Sequence, residues 1–162
     1  MTQPNAGTLF GHPKGLFLLF GTEMWERFGY YGMRALLVLY LVASVQDGGF
    51  GWTSGEALSL YGTFTMAVYL TPVLGGWLAD NYIGQRKAII YGGLIFSLGY
   101  FTLGIPKSMI VGMEETVFYI GLSLIIIGNG LFKANVSSLV GDLYEEGDHR
   151  RDGAFTIFYM GI

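Results

Sequence analysis

The sequence has no cysteine, which excludes disulfides, thiol catalysis and Cys-ligated metal sites and leaves no sign of a redox compartment. Charge is scarce. Only 13% of the residues are Asp, Glu, Lys or Arg, near half the ~25% of a soluble domain. The net charge is -3 and the basic residues are scattered, so no basic surface invites a nucleic acid. The two histidines, His12 and His149, have no metal-ligand spacing, and no Ser, His and Asp set is arranged for nucleophilic attack. Neither an enzyme nor a cofactor or metal site is therefore expected. Met1 to His12 is polar and carries Gly and Pro, without the apolar core and small-residue cleavage site of a secretory signal. The first apolar segment is expected to stay as a membrane span.

What the chain has in abundance is apolar length. Hydrophobic residues make up 52%, the mean hydropathy is +0.47, and 26 glycines are present. A bilayer core of ~30 Å needs roughly 20 apolar helical residues, and four such windows occur. They lie at about 15–44, 57–79, 88–105 and 117–140, behind a polar segment at 1–14. The second and third contain no charge and the fourth only Lys133. A fifth apolar run, 154–162, is too short to cross, so the chain is expected to be an open fragment of a multi-pass, all-α membrane protein. Short polar connections separate the windows, and two of them are expected to be loops carrying Arg86-Lys87 and Arg150-Arg151. Placing the N-terminus in the cytoplasm puts Lys14, Arg86, Lys87, Arg150 and Arg151 inside and Lys107 outside, as the positive-inside rule requires.

Local signals refine this outline. Thr53-Ser54-Gly55-Glu56 has the form of a capping box at the start of the second helix. Pro72 predicts a kink within that helix. Gly75-Gly76 and Gly92-Gly93 lack the strand-turn-helix context of a nucleotide loop and are expected at close helix contacts. Trp25, Tyr61 and Tyr119 suit either interface anchors or core.

The first window differs from the others because it holds Glu23, Glu26, Arg27 and Arg34. Each charge at mid-membrane costs ~2.5 to 3.5 kcal/mol on insertion scales, whereas a Leu or Phe returns only ~0.3 to 0.6. Four such charges cannot face lipid. Glu23, Glu26, Arg27, Tyr30 and Arg34 fall at i, i+3, i+4, i+7 and i+11, with Tyr31 at the edge of the same stripe, so they form one polar face. Intramembrane charges of this kind mark substrate or proton pathways, the plainer reading being a structural ion-pair network. Lys133, deep in the fourth window with Asn129 and Ser137 at i−4 and i+4, needs a carboxylate or must lose its proton. Glu23 or Glu26 is the expected partner. Three cations against two carboxylates leave one cation in excess, which suits the carboxylate of a ligand.

Glu23-Met24-Trp25-Glu26-Arg27-Phe28-Gly29-Tyr30-Tyr31-Gly32-Met33-Arg34 resembles the E-x-x-E-R-F-x-Y-Y-G-x-R motif on the first helix of the proton-coupled oligopeptide transporters. Tyr69-Leu70-Thr71-Pro72-Val73-Leu74-Gly75-Gly76-Trp77-Leu78-Ala79-Asp80, followed by Gly84-Gln85-Arg86-Lys87, resembles that family's second helix and the major facilitator loop motif after it. Gly128-Asn129-Gly130-Leu131-Phe132-Lys133-Ala134-Asn135 is similar to its fourth helix, and Phe158-Tyr159-Met160-Gly161-Ile162 to the start of its fifth-helix motif.

The resemblance implies the major facilitator fold, two six-helix halves around a midplane cavity, with the N-terminal half only partly present here. It implies proton-driven symport of di- and tripeptides across the cytoplasmic (inner) membrane. Arg34 and Lys133 would bind the peptide carboxylate, with Tyr30, Tyr31 and Tyr69 lining the site. Glu23, Glu26 and Arg27 would couple protons, and Asp80, Gly84, Arg86 and Lys87 would form a cytoplasmic gating loop. Animal members carry a proton-linked His where this chain has Gly62, so a His-based step is absent at that position. Transport of nitrate or another small anion, or a purely structural membrane subunit, are the alternatives. The expected partners are thus peptides, protons and the lipid bilayer.

Overall fold

The computed structural model describes residues 7–162, so the first six residues of the predicted polar segment lie outside the described residues. A minimal hairpin comes first, β1 Thr8–Leu9 and β2 His12–Pro13, antiparallel with Leu9 opposite His12. Five α-helices follow: α1 Lys14–Val42, α2 Ser54–Leu78, α3 Gln85–Leu103, α4 Glu114–Asp142 and α5 Arg150–Met160. Among the described residues the hairpin is the one departure from the expected all-helical chain.

Helix starts obey local chemistry. Pro13, with φ preset and no N–H to satisfy, stands directly before α1. Thr53 caps α2: its hydroxyl accepts from Glu56 N at 3.3 Å, and the Glu56 carboxylate accepts from Thr53 N at 2.9 Å. The expected capping box is present. The helix runs on through Pro72 to Leu78 and passes into a π-helical turn, Ala79–Ile83. Gly84, at φ 83, ends it and α3 begins at the next residue.

That arrangement corrects two expectations. Arg86 and Lys87 do not sit in a loop but in the first turn of α3, and Arg150 and Arg151 open α5. The apolar windows end at charged residues, whereas the helical backbone continues past them, because hydrogen bonding does not stop where hydropathy does.

The chain divides into two compact units, Met1–Gly32 with Val136–Ile162, and Met33–Asn135. In the second, glycines set the helix spacing. A β-carbon at Gly75 of α2 would lie 2.1 Å from the carbonyl oxygen of Gly130 in α4, and one at Gly92 of α3 2.8 Å from that of Gly128. Backbones this close tolerate no side chain, as expected of small residues between membrane helices. Their neighbours Gly76 and Gly93 have room for a methyl group. Asn135 ties the same contact, donating to Leu131 O at 2.7 Å and Gly75 O at 3.4 Å. In the first unit, Gly15 meets Leu143 and Gly161 meets Phe20. His12 Nδ1 and the Tyr144 hydroxyl are 2.8 Å apart.

Ser54–Ile83 and Glu114–Asp142 are each long and apolar enough to cross a membrane. α1 and α3, of 29 and 19 residues, are the other two expected spans.

Candidate functional site

α1 carries the charged stripe because Glu23 and Arg27 are one turn apart on it and Glu26 is Arg27's neighbour in sequence. All three are buried, with relative exposures of 2%, 7% and 3% for Glu23, Glu26 and Arg27. The Arg27 guanidinium pairs with both carboxylates, Nε lying 3.1 Å from Glu23 Oε1, and it also stands over the ring of Tyr30, 5.4 Å from the centroid. Tyr30 is itself buried and its ring tilts against that of Tyr31, which is half exposed. One guanidinium thus serves two buried carboxylates, so a change of charge on either is felt by the same base.

The other two cations belong to the second unit, and each is paired with a tyrosine. Arg34 donates Nε–H to the Tyr61 hydroxyl and places its guanidinium 5.1 Å from that ring's centroid. Lys133 holds its ammonium 4.7 Å from the centroid of Tyr69. Tyr61 and Tyr69 are eight residues apart on α2, so they share a face, with Tyr69 largely exposed. Both carboxylates are engaged with Arg27, and within the second unit the Lys133 ammonium faces an aromatic ring.

Tyr61 is the residue that sequence reasoning left unassigned. The signal available for it was its i−8 relation to Tyr69. Asp80, Arg86 and Lys87 are exposed around Gly84, Asp80 in the π-helical turn and the two cations at the N-terminus of α3. The helix dipole disfavours cations there, so these charges do not serve helix stability. An open cleft of about 640 Å³ lies between the starts of α2 and α4, lined by Trp52, Glu56, Ser59, Thr63, Glu115 and Tyr119 among others. None of the predicted site residues lines it.

The sequence model of the POT family matches residues 86–162. Peptide transporter YePEPT of Yersinia enterocolitica is 48% identical over 159 residues, covering 98% of this chain and 30% of that protein. The chain belongs to the POT family. A second relative in the family's neighbourhood is the Bacillus subtilis protein named Uncharacterized transporter YclF, 50% identical over 153 residues, 94% of this chain and 30% of that one. A crystal structure of a peptide transporter POT in complex with alafosfalin superposes with a TM-score of 0.90 at 48% identity, covering 96% of this chain and 31% of that one. The fold is therefore that of the helical POT transporters, which are membrane proteins. The chain spans about 30% of the length of the curated relatives it matches.

Proposed function

We propose that this POT-family chain forms part of a proton-driven symporter of di- and tripeptides that works by alternating access in the cytoplasmic membrane, N-terminus inside. The observation that carries the reading is the buried Glu23–Arg27–Glu26 cluster, in which one guanidinium serves two carboxylates. A proton taken up by Glu23 or Glu26 neutralises that carboxylate and frees part of Arg27's hydrogen-bonding capacity. Proton and peptide binding become linked, and the linkage is reciprocal.

Arg34 and Lys133 are the carboxylate receptors in this reading. Arg34 supplies a planar guanidinium, oriented by its Nε–H bond to Tyr61, of the kind that recognises a carboxylate in a bidentate manner. Lys133 is held by a π face, Tyr69, which a carboxylate displaces without breaking an ion pair. Tyr31 and Tyr69 are both substantially exposed and Tyr30 is buried, and in this reading all three serve the peptide site. Asp80, Gly84, Arg86 and Lys87 latch the cytoplasmic face. The names of YePEPT and of the alafosfalin complex speak for peptides over small inorganic anions.

Uptake of labelled dialanine into proteoliposomes under an inward proton gradient tests the reading. Accumulation above equilibrium that collapses with a protonophore is expected. Gradient-independent equilibration would remove proton coupling, and no dialanine uptake would remove the peptide.

A further inference from the structure

The hairpin before α1 presents an aromatic side chain where the backbone gives no reason for one. Phe10 and Gly11 form its two-residue turn, both with positive φ, 49° and 80°. Such a turn favours Asn or Asp ahead of Gly, and a bulky residue in that conformation is uncommon. Phe10 nevertheless occupies it with 86% of its surface exposed.

The tip is also held from behind. Lys14 N donates to Gly7 O at 3.2 Å and Arg150 Nη1 donates to Gly11 O at 2.9 Å. The rest of the Arg150 fork grips Asp148, whose carboxyl is pulled down to about 2 by that contact. His12 meets the buried Tyr144. The hairpin is thus bolted to the α4–α5 connection while its aromatic end stays exposed. Phe10 meets the edge of Phe17 at a centroid distance of 6.1 Å, so its ring lies level with the first turn of α1. Leu9 is partly exposed beside it, Leu18 is 71% exposed on the same helix, and Lys14 is exposed at the start of that helix.

We infer that this hairpin is a lipid-facing foot: Phe10, with Leu9 beside it, enters the headgroup–acyl boundary of the bilayer and sets the depth of the N-terminal end of α1. Aromatic rings concentrate at that level of a membrane, and an apolar tip with a nearby ammonium that can reach lipid phosphate is the chemistry a phospholipid surface takes. Continuity with a spanning helix supplies the occupant, because the ring that Phe10 touches belongs to α1 itself. The inference rests on the membrane placement proposed above.

Spin labels on single cysteines test it in protein reconstituted into phosphatidylcholine–phosphatidylglycerol liposomes, in a background without other cysteines. Leu94→Cys, in the exposed apolar middle of α3, serves as the lipid reference and Glu146→Cys, exposed in the α4–α5 connection, as the aqueous one. The ratio of collision with oxygen to collision with a water-soluble nickel chelate reads depth. Phe10→Cys should give a ratio between the two references, as the boundary requires, and exceed position 146 several-fold. A label at Thr8 should report the boundary in the parent and shift several-fold toward water when Phe10→Ser is added, which shows that the native ring and not the label drives insertion. A water-like ratio at position 10, or a label sealed from both reagents by protein, overturns the foot. A water-like ratio at Leu94 as well would instead strike at the membrane placement.

Discussion

Arg34 and Tyr61 are joined twice over, by a hydrogen bond from Nε–H to the phenol oxygen and by a cation–π contact that brings the guanidinium 5.1 Å from the ring centroid. One residue lies on α1 and the other on α2, so the tyrosine helps to fix the direction in which the guanidinium faces.

Removing the phenol should therefore weaken carboxylate capture without abolishing it. Tyr61→Phe keeps the ring and removes a hydrogen bond to a charged group, about 1.5 kcal/mol, so dialanine affinity in the full transporter should fall roughly tenfold. Arg34→Lys should lose more, because an ammonium does not reproduce the bidentate fork. Dialanine with an amidated C-terminus should be nearly indifferent to both. Equal losses for the acid and the amide would take Arg34 and Tyr61 out of carboxylate recognition.

The buried acids make a different demand. Glu26→Gln mimics permanent protonation, so gradient-driven accumulation should drop strongly while peptide exchange at equal pH survives. A purely structural ion pair behaves otherwise, since breaking it costs ~3 to 5 kcal/mol and should lower stability, exchange and accumulation together. Measuring all three on one preparation separates coupling from scaffolding.

Topology can be read directly on a chain without cysteine. Arg86→Cys should react with a membrane-impermeant maleimide only from the cytoplasmic side, and Gln46→Cys only from outside. Position 46 suits this better than Phe50, whose ring packs on Phe118 and lies 3.8 Å beneath the Lys107 ammonium. Reaction of position 86 on sealed, right-side-out cells would invert the orientation.

Gly75 offers a test of packing that is independent of transport. Gly75→Ala drives a methyl into the Gly130 carbonyl and should destabilise the protein by about 1–3 kcal/mol. Gly76→Ala meets only the Ala134 methyl at 3.5 Å and should be neutral or slightly stabilising, because alanine is the better helix former. Equal thermal midpoints for the two variants would mean that the α2–α4 contact is looser than described.

Much of this was legible before any coordinates. Charges too costly for lipid had to cluster on one face of α1, and Glu23, Glu26 and Arg27 are indeed buried together; the cap at Thr53 and the close-packed glycines followed from equally local rules. The identity of the partners did not. A sequence states that Lys133 and Arg34 need company, but a carboxylate and a tyrosine ring can both provide it, and only the packing of α2 against its neighbours brings Tyr61 and Tyr69 to them. Likewise, hydropathy marks where apolar residues stop, whereas helix ends depend on where backbone hydrogen bonding stops, which is why Arg86 and Arg150 proved helical. The hairpin at Thr8–Pro13 was invisible because two-residue strands have no periodicity to detect; what holds it is Arg150 and Tyr144, more than a hundred residues away along the chain.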